Sequence, residues 1–165
     1  MRLRKAQTDD APLLMRWDGN PHIKGHLGDF RHDWPLELAR DPAWRELLIA
    51  ESGDGRPVGF IQIIDPALEE DHYWGEVESG LRAIDIWIGE ESDLGRGLGS
   101  EMMRLAIGRC FRGPDVTAIL VDPLADNAAS IRFYARLGFR AMGRRRFGPD
   151  ECMVMRLDRD EAAAR

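Results

Sequence analysis

The chain has 165 residues, 44% of them hydrophobic and 32% charged, with a formal net charge of −6. That length suits a single domain with a substantial core, and the acidic balance argues against a general nucleic-acid binder. No apolar run approaches the roughly 18 residues that span a bilayer.

The opening MRLRKAQTDDAP lacks the apolar stretch of a secretory signal, and Cys110 and Cys152 follow no metal or redox spacing. The expectation is a cytoplasmic protein with reduced thiols. In chain order, RLRKA predicts a first strand. Thr8, Asp9 or Asp10 can cap a helix with Leu13, Leu14 and Trp17 on its apolar side, which Gly19-Asn20-Pro21 stops. Asp33 caps a second short helix with Pro35 in its first turn, and RELLIAES and VGFIQIID flank the hairpin signal GDGRP. A polar loop over 66–80 carries Tyr73 and Trp74. A strand over 81–89, a helix over 99–112 and a strand over 116–121 follow. Asn127 caps a helix running through Arg136 and ended by Gly138, and strands near 139–146 and 151–158 pair around Gly148-Pro149-Asp150. An antiparallel start followed by β-α-β-α-β predicts one α/β domain over 1–160, with a frayed tail over 161–165. Its central sheet is expected to be mixed, mostly antiparallel and flanked by helices on both faces.

Charge is unevenly spread. Asp65, Glu69, Glu70, Asp71, Glu76 and Glu78 form an acidic run, and Arg132, Arg136, Arg140, Arg144, Arg145 and Arg146 a basic one. These are either solvated surfaces or an acidic mouth for a cationic substrate and a basic side for an anionic cofactor.

The segment LRAIDIWIGEESDLGRGLG is the most telling. A strand ends, and Gly95, Gly97 and Gly99 alternate just before a helix. Uncovered backbone N–H groups and the helix dipole make such a place a socket for phosphate or pyrophosphate. No lysine follows the glycines, which excludes a P-loop. Position 100 is Ser and a spacer separates the loop from the strand, which argues against a dinucleotide fingerprint.

Single residues point the same way. Asp85 interrupts an apolar strand between Ile84 and Ile86, so it needs a donor, a cation or a substrate, unless it lies on a polar outward face. Asp122 ends a strand, where sites of α/β proteins gather, although it can equally cap the next turn. Trp74 beside Tyr73 can form a platform for a sugar or amine cation, or a lid over the core. His22, His26 and His32 lack the spacing of a metal site, and no G-x-S-x-G is present, so neither metal-assisted nor serine hydrolase chemistry is expected.

LGRGLG (94–99) together with NAASIRFYARLGF (127–139) resembles the paired motifs of the GNAT superfamily of N-acetyltransferases, over about residues 81–146. A narrower likeness, carried by LLMRWDGNPHIKGHLGD, RPVGFIQ, YW, RAIDIWIG and VDPLADN, is to the aminoglycoside 6′-N-acetyltransferases; siderophore-type acyltransferases share part of it. Leu94 stands where the superfamily usually has Gln or Arg, and Leu27-Gly28 where the narrower family is rich in tryptophan.

The resemblance implies an enzyme that uses acetyl-CoA and a small-molecule amine, without metal, nucleic acid or membrane, as a monomer or homodimer. It implies that Trp87, Ile88, Gly89, Gly95, Arg96, Gly97, Leu98, Gly99, Ser100 and Asn127 bind the cofactor, the strand N–H groups around Trp87–Gly89 polarising the thioester carbonyl. Asp85 becomes the base, and Tyr134, otherwise a packing residue, assists the leaving thiolate. Trp74, Asp85 and Asp122 take the acceptor, and mutual repulsion of the two aspartates would raise the pKa of one. Other acceptors open to the same fold are a protein N-terminus and a siderophore precursor. A non-catalytic coenzyme A-binding module is the alternative outside enzymes.

Overall fold

The computed structural model describes residues 1–27 and 32–163, with side chains over 1–24 and 32–162. Its strands are β1 (Arg2–Lys5), β2 (Arg45–Glu51), β3 (Pro57–Ile64), β4 (Leu81–Ile88), β5 (Ala118–Val121), β6 (Arg140–Phe147) and β7 (Asp150–Asp158). Its helices are α1 (Ala11–Asp18), α2 (Pro21–Leu27), α3 (Trp34–Ala39), α4 (Leu98–Cys110), α5 (Ala128–Arg136) and α6 (Arg159–Ala163). The strands are hydrogen-bonded in the order β1-β2-β3-β4-β5-β7-β6. β4 and β5 run parallel, whereas β1–β2, β5–β7 and β6–β7 are antiparallel, so the sheet is mixed and mostly antiparallel.

Several ends obey local chemistry. The Asp33 and Asn127 side chains accept from the N–H groups of Leu36 and Ser130, capping α3 and α5. Helix α2 was not anticipated: Pro21 breaks α1, yet it also starts the next helix, because its fixed φ suits a first turn. The final strands meet at Phe147↔Asp150, as the Gly148-Pro149 turn predicts. Helix α6 begins at Arg159 and so enters the stretch expected to fray.

The residues gather into two compact units, Met1–Gln62 with Asp85–Ala106, and Ile63–Ile84 with Ile107–Arg165. In the first, Leu14 and Trp17 of α1, Ile23 of α2, Trp34 of α3, Ile49 of β2 and Phe60 of β3 form one apolar cluster, with Trp87 packed against it. Gly89 belongs to this packing. A Cβ there would lie 2.0 Å from the fully buried Trp17 ring, so only glycine lets the indole pass beneath the strand end. In the second unit Ile119, Val121, Phe139, Met155 and Leu157 are buried, as are both cysteines, neither of them in a disulfide.

Candidate active site

Alternation puts Asp85 and Trp87 on one face of β4, and Phe60 and Gln62 on one face of β3. The two faces coincide, because the Phe60 and Trp87 rings are 4.5 Å apart and Gln62 Nε2 donates to Asp85 Oδ2 at 3.1 Å. Asp85 is thus a half-buried carboxyl on an aromatic face, anchored through one oxygen. Burial pushes it above the usual carboxylate range, while the Gln62 hydrogen bond and the charge of His32 pull the other way. The perturbation therefore comes from desolvation. A carboxylate with a raised pKa is better matched to taking a proton from an ammonium group.

The parallel ladder between β4 and β5 stops at Ala83↔Leu120. Farther along β4 the three groups assigned to the thioester carbonyl are not equivalent. The Gly89 N–H is spent on the Val58 carbonyl at 2.9 Å, and its carbonyl accepts from Asn20 Nδ2 at 2.7 Å. The Gly89 N–H is therefore engaged within the fold, and the residue also serves the packing of Trp17. Strand alternation turns Trp87 the same way and Ile88 the other way, so Ile88 is the strand N–H aimed off the β3 edge.

The glycine loop has the form the sequence suggests. Gly95 and Gly97 have φ of 72° and 80°, and a Cβ on either would meet nothing within 4 Å. These glycines are needed for their left-handed backbone, and they leave the main chain uncovered. The Gly97 carbonyl accepts from the N–H groups of Ser100 and Glu101, so it opens α4 and leaves the Leu98 and Gly99 N–H groups ahead of the first helical bonds. Donors of this kind fit a pyrophosphate. Arg96, expected to reach the same anion, has its Nη1 3.0 Å from Asp93 Oδ1. Asp93 is 2% exposed and also grips the Arg56 guanidinium at 2.6 and 3.1 Å. The Arg56 hydrogen bonds outweigh burial and hold the Asp93 carboxyl below its ordinary range.

In the second unit the acceptor residues are rearranged relative to expectation. Trp74 is buried, so its face is not a free platform, and Tyr73 is the exposed aromatic of the pair. Tyr73 stacks on Phe147 at 4.5 Å and 6°, and its hydroxyl donates to Asp122 Oδ2 at 2.7 Å. The Arg145 guanidinium lies over Phe147 and donates to the Trp74 carbonyl. Tyr134 is buried on α5, edge-on to Phe133 and Phe139. Asn127, named for the cofactor, spends its side-chain oxygen on the α5 cap.

Much of the uneven charge is internal pairing. Asp65 meets Arg82 and Glu78 meets Arg156 in the acidic run. In the basic run Arg140 meets Asp158 and Glu161, and Arg144 meets Glu151. The reading of the arginines as a cofactor-facing basic side gives way at these positions to surface ion pairs, which suit an exposed strand. His22 Nε2 bonds to the Ile88 carbonyl and His32 Nδ1 to Asp18, while the His26 side chain and Gly28 lie outside the described residues. Among the described residues no group of three or more His, Cys, Asp or Glu is arranged to hold a metal ion, and no helix is long and apolar enough to cross a membrane.

Residues 6–147 match the family described as acetyltransferase (GNAT) domain. The chain belongs to the GNAT acetyltransferase family. It is 30% identical over 132 residues to aminoglycoside N(6')-acetyltransferase type 1 of Klebsiella pneumoniae, covering 79% of this chain and 64% of that protein. This GNAT chain thus spans under two thirds of the length of that relative. A kanamycin resistance protein of Rhizobium radiobacter is 38% identical over 77 residues, 46% of this chain and 71% of that one. Among solved structures, an aminoglycoside acetyltransferase in complex with coenzyme A superposes with a TM-score of 0.88 at 28% identity, covering 98% of this chain and 96% of the other. A complex with coenzyme A and kanamycin superposes with a TM-score of 0.88 at 27% identity and the same coverage.

Within this GNAT fold, sequence reasoning overlooked Gln62, Asp93, Arg56 and the Tyr73 hydroxyl. Gln62 carries the signal that exposed Asp85, a polar residue inside an apolar strand. Arg56 and the Tyr73 hydroxyl had none, because their partners are 37 and 49 residues distant in the chain.

Proposed function

We propose that this chain is an acetyl-CoA-dependent N-acetyltransferase acting on a primary amine, the 6′-amine of an aminoglycoside-like polyamine. The observation that carries the reading is the Asp85 carboxyl, desolvated on an aromatic face and oriented by Gln62. It is supported by the likeness to aminoglycoside acetyltransferases solved with coenzyme A and with kanamycin.

The cofactor supplies an acetyl group activated as a thioester. The N–H groups of Leu98 and Gly99, with the uncovered backbone of Gly95 and Gly97, hold its pyrophosphate. The Ile88 N–H polarises the acyl oxygen where negative charge develops. Asp85 attracts the acceptor ammonium and takes its proton, directly or through water, since only the neutral amine has a lone pair for attack. Tyr134 donates a hydrogen bond to the departing sulfur, and Asp122, oriented by Tyr73, holds a second ammonium of the acceptor. We place it, as a monomer or homodimer, in the cytoplasm, where buried thiols outside disulfides stay reduced.

The test is release of coenzyme A thiol across a panel of kanamycin-like amines, spermidine and peptides with free N-termini. Turnover with the aminoglycosides, lost in Asp85→Asn while acetyl-CoA binding persists, is expected. Preference for peptides would transfer the site to protein N-termini, and binding without turnover on any amine would make the chain a coenzyme A-binding module.

A further inference from the structure

The face of β4 that carries Asp85 is reached by a second pair of ionisable groups. Asp18, at the end of α1, is 7% exposed. Its Oδ2 accepts from Trp34 Nε1 at 2.7 Å and lies 3.2 Å from His32 Nδ1. Among the described residues its Oδ1 has no hydrogen-bond partner. A buried carboxylate so thinly solvated calls for a nearby positive charge, and His32 is the ionisable group in contact with it. The His32 ring in turn meets two indoles whose own centroids are 6.3 Å apart. It stacks on Trp34 at 4.4 Å, and its centroid is 6.0 Å from that of Trp87, the residue two along β4 from Asp85.

We propose that Asp18 and His32 form a positioning pair that fixes an imidazolium on the Asp85 face of β4. The inference rests on the reading of Asp85 as the base. Asp18 and Trp34 fix the ring, and Trp87 transmits its placement to the strand. In the empty site the imidazolium offsets the burial of Asp85 and keeps its carboxylate available. An arriving acceptor ammonium then takes over that compensating role. Burial alone would leave Asp85 protonated over a wider pH range, and the charge of His32 opposes that effect.

Among the described residues, these groups lie around the pair. β3 contributes neutral Gln62, and β4 contributes Asp85. α1 contributes Asp18, and α2 contributes His22, whose Nε2 is committed to the Ile88 carbonyl. The aromatic neighbours Trp34, Phe60 and Trp87 carry no charge.

The experiment follows the Asp85 carboxyl by carbon NMR in the whole protein, beside the acidic limb of kcat/KM for an aminoglycoside acceptor. In His32→Gln the Asp85 midpoint and the acidic limb should both rise by roughly 0.5–1 pH unit. Asp18→Asn, which keeps an oxygen for Trp34, should raise both by less. A merely structural role would lower activity without moving either quantity. An unmoved Asp85 midpoint in a folded variant overturns the proposal. An NMR shift that appears in a protein with no acetyl transfer leaves the pair standing and removes the assigned reaction instead.

Discussion

The Tyr73 hydroxyl donates a 2.7 Å hydrogen bond to Oδ2 of Asp122. A phenol stacked flat on Phe147 has little freedom to turn away, so it presents the carboxylate with a fixed donor. Tyr73→Phe keeps the stack and removes the donor. The KM for a polyamine should rise roughly three- to tenfold, with kcat and acetyl-CoA affinity nearly unchanged. Asp122→Asn should raise KM further, and its defect should shrink as added salt screens the attraction. Steady-state kinetics at two ionic strengths measure both, and an unchanged KM in Tyr73→Phe would reduce that bond to loop packing.

Tyr134 is buried on α5 among aromatic rings. If its hydroxyl meets the leaving sulfur, Tyr134→Phe should lower kcat by roughly tenfold to a few hundredfold while acetyl-CoA affinity holds. Single-turnover rates beside equilibrium binding separate the two effects. Normal turnover would make Tyr134 a packing residue.

The glycine loop makes a backbone prediction. Valine at position 97 must adopt a φ of 80° that β-branched residues avoid, although no neighbour blocks its Cβ. Strain of about 1–2 kcal/mol or more is then relieved by moving the loop, and acetyl-CoA should bind at least about tenfold more weakly. Asp93→Asn should weaken binding by the same route, because it loosens the grip on Arg56 and Arg96. Calorimetric titration with coenzyme A reads both variants, and wild-type affinity in folded Gly97→Val would place the anion elsewhere.

The first strand carries an acid-sensitive clamp. The Arg4 guanidinium reaches Asp10 through two 2.7 Å bonds and Glu51 at 2.6 Å. At Asp10 burial opposes ionisation, but the Arg4 fork and the Gln7 N–H prevail and lower the pKa; at Glu51 the Arg4 hydrogen bond leads in lowering it. Both carboxyls are depressed on folding, so their contribution is complete above their unfolded values of about 4 and fades as pH falls through the folded ones. Thermal melts should therefore lose Tm steeply below about pH 4. Arg4→Met should cost about 2–3 kcal/mol at neutral pH and flatten that acid slope.

Much of the architecture was legible from sequence because it rests on local rules. The GDGRP hairpin, the Asp33 and Asn127 caps, the turn at Gly148-Pro149 and the alternating glycines before α4 each depend on residues a few positions apart. Asp85 was legible for a different reason. A carboxylate in an apolar strand is an energetic anomaly wherever the chain folds, and the structure supplies the expected donor in Gln62. Tertiary structure alone decided how side chains divide their hydrogen bonds. It spent the Gly89 N–H on Val58, turned Arg96 to Asp93, buried Trp74 while exposing Tyr73, and brought His32 against Asp18 and Trp87. Apart from Arg96, whose partner Asp93 lies three residues away, these do not follow from spacing, because they depend on how strands and helices pack. A residue's type bounds the chemistry it can perform. The partner that orients or occupies it is chosen in three dimensions, where competing donors and acceptors first meet.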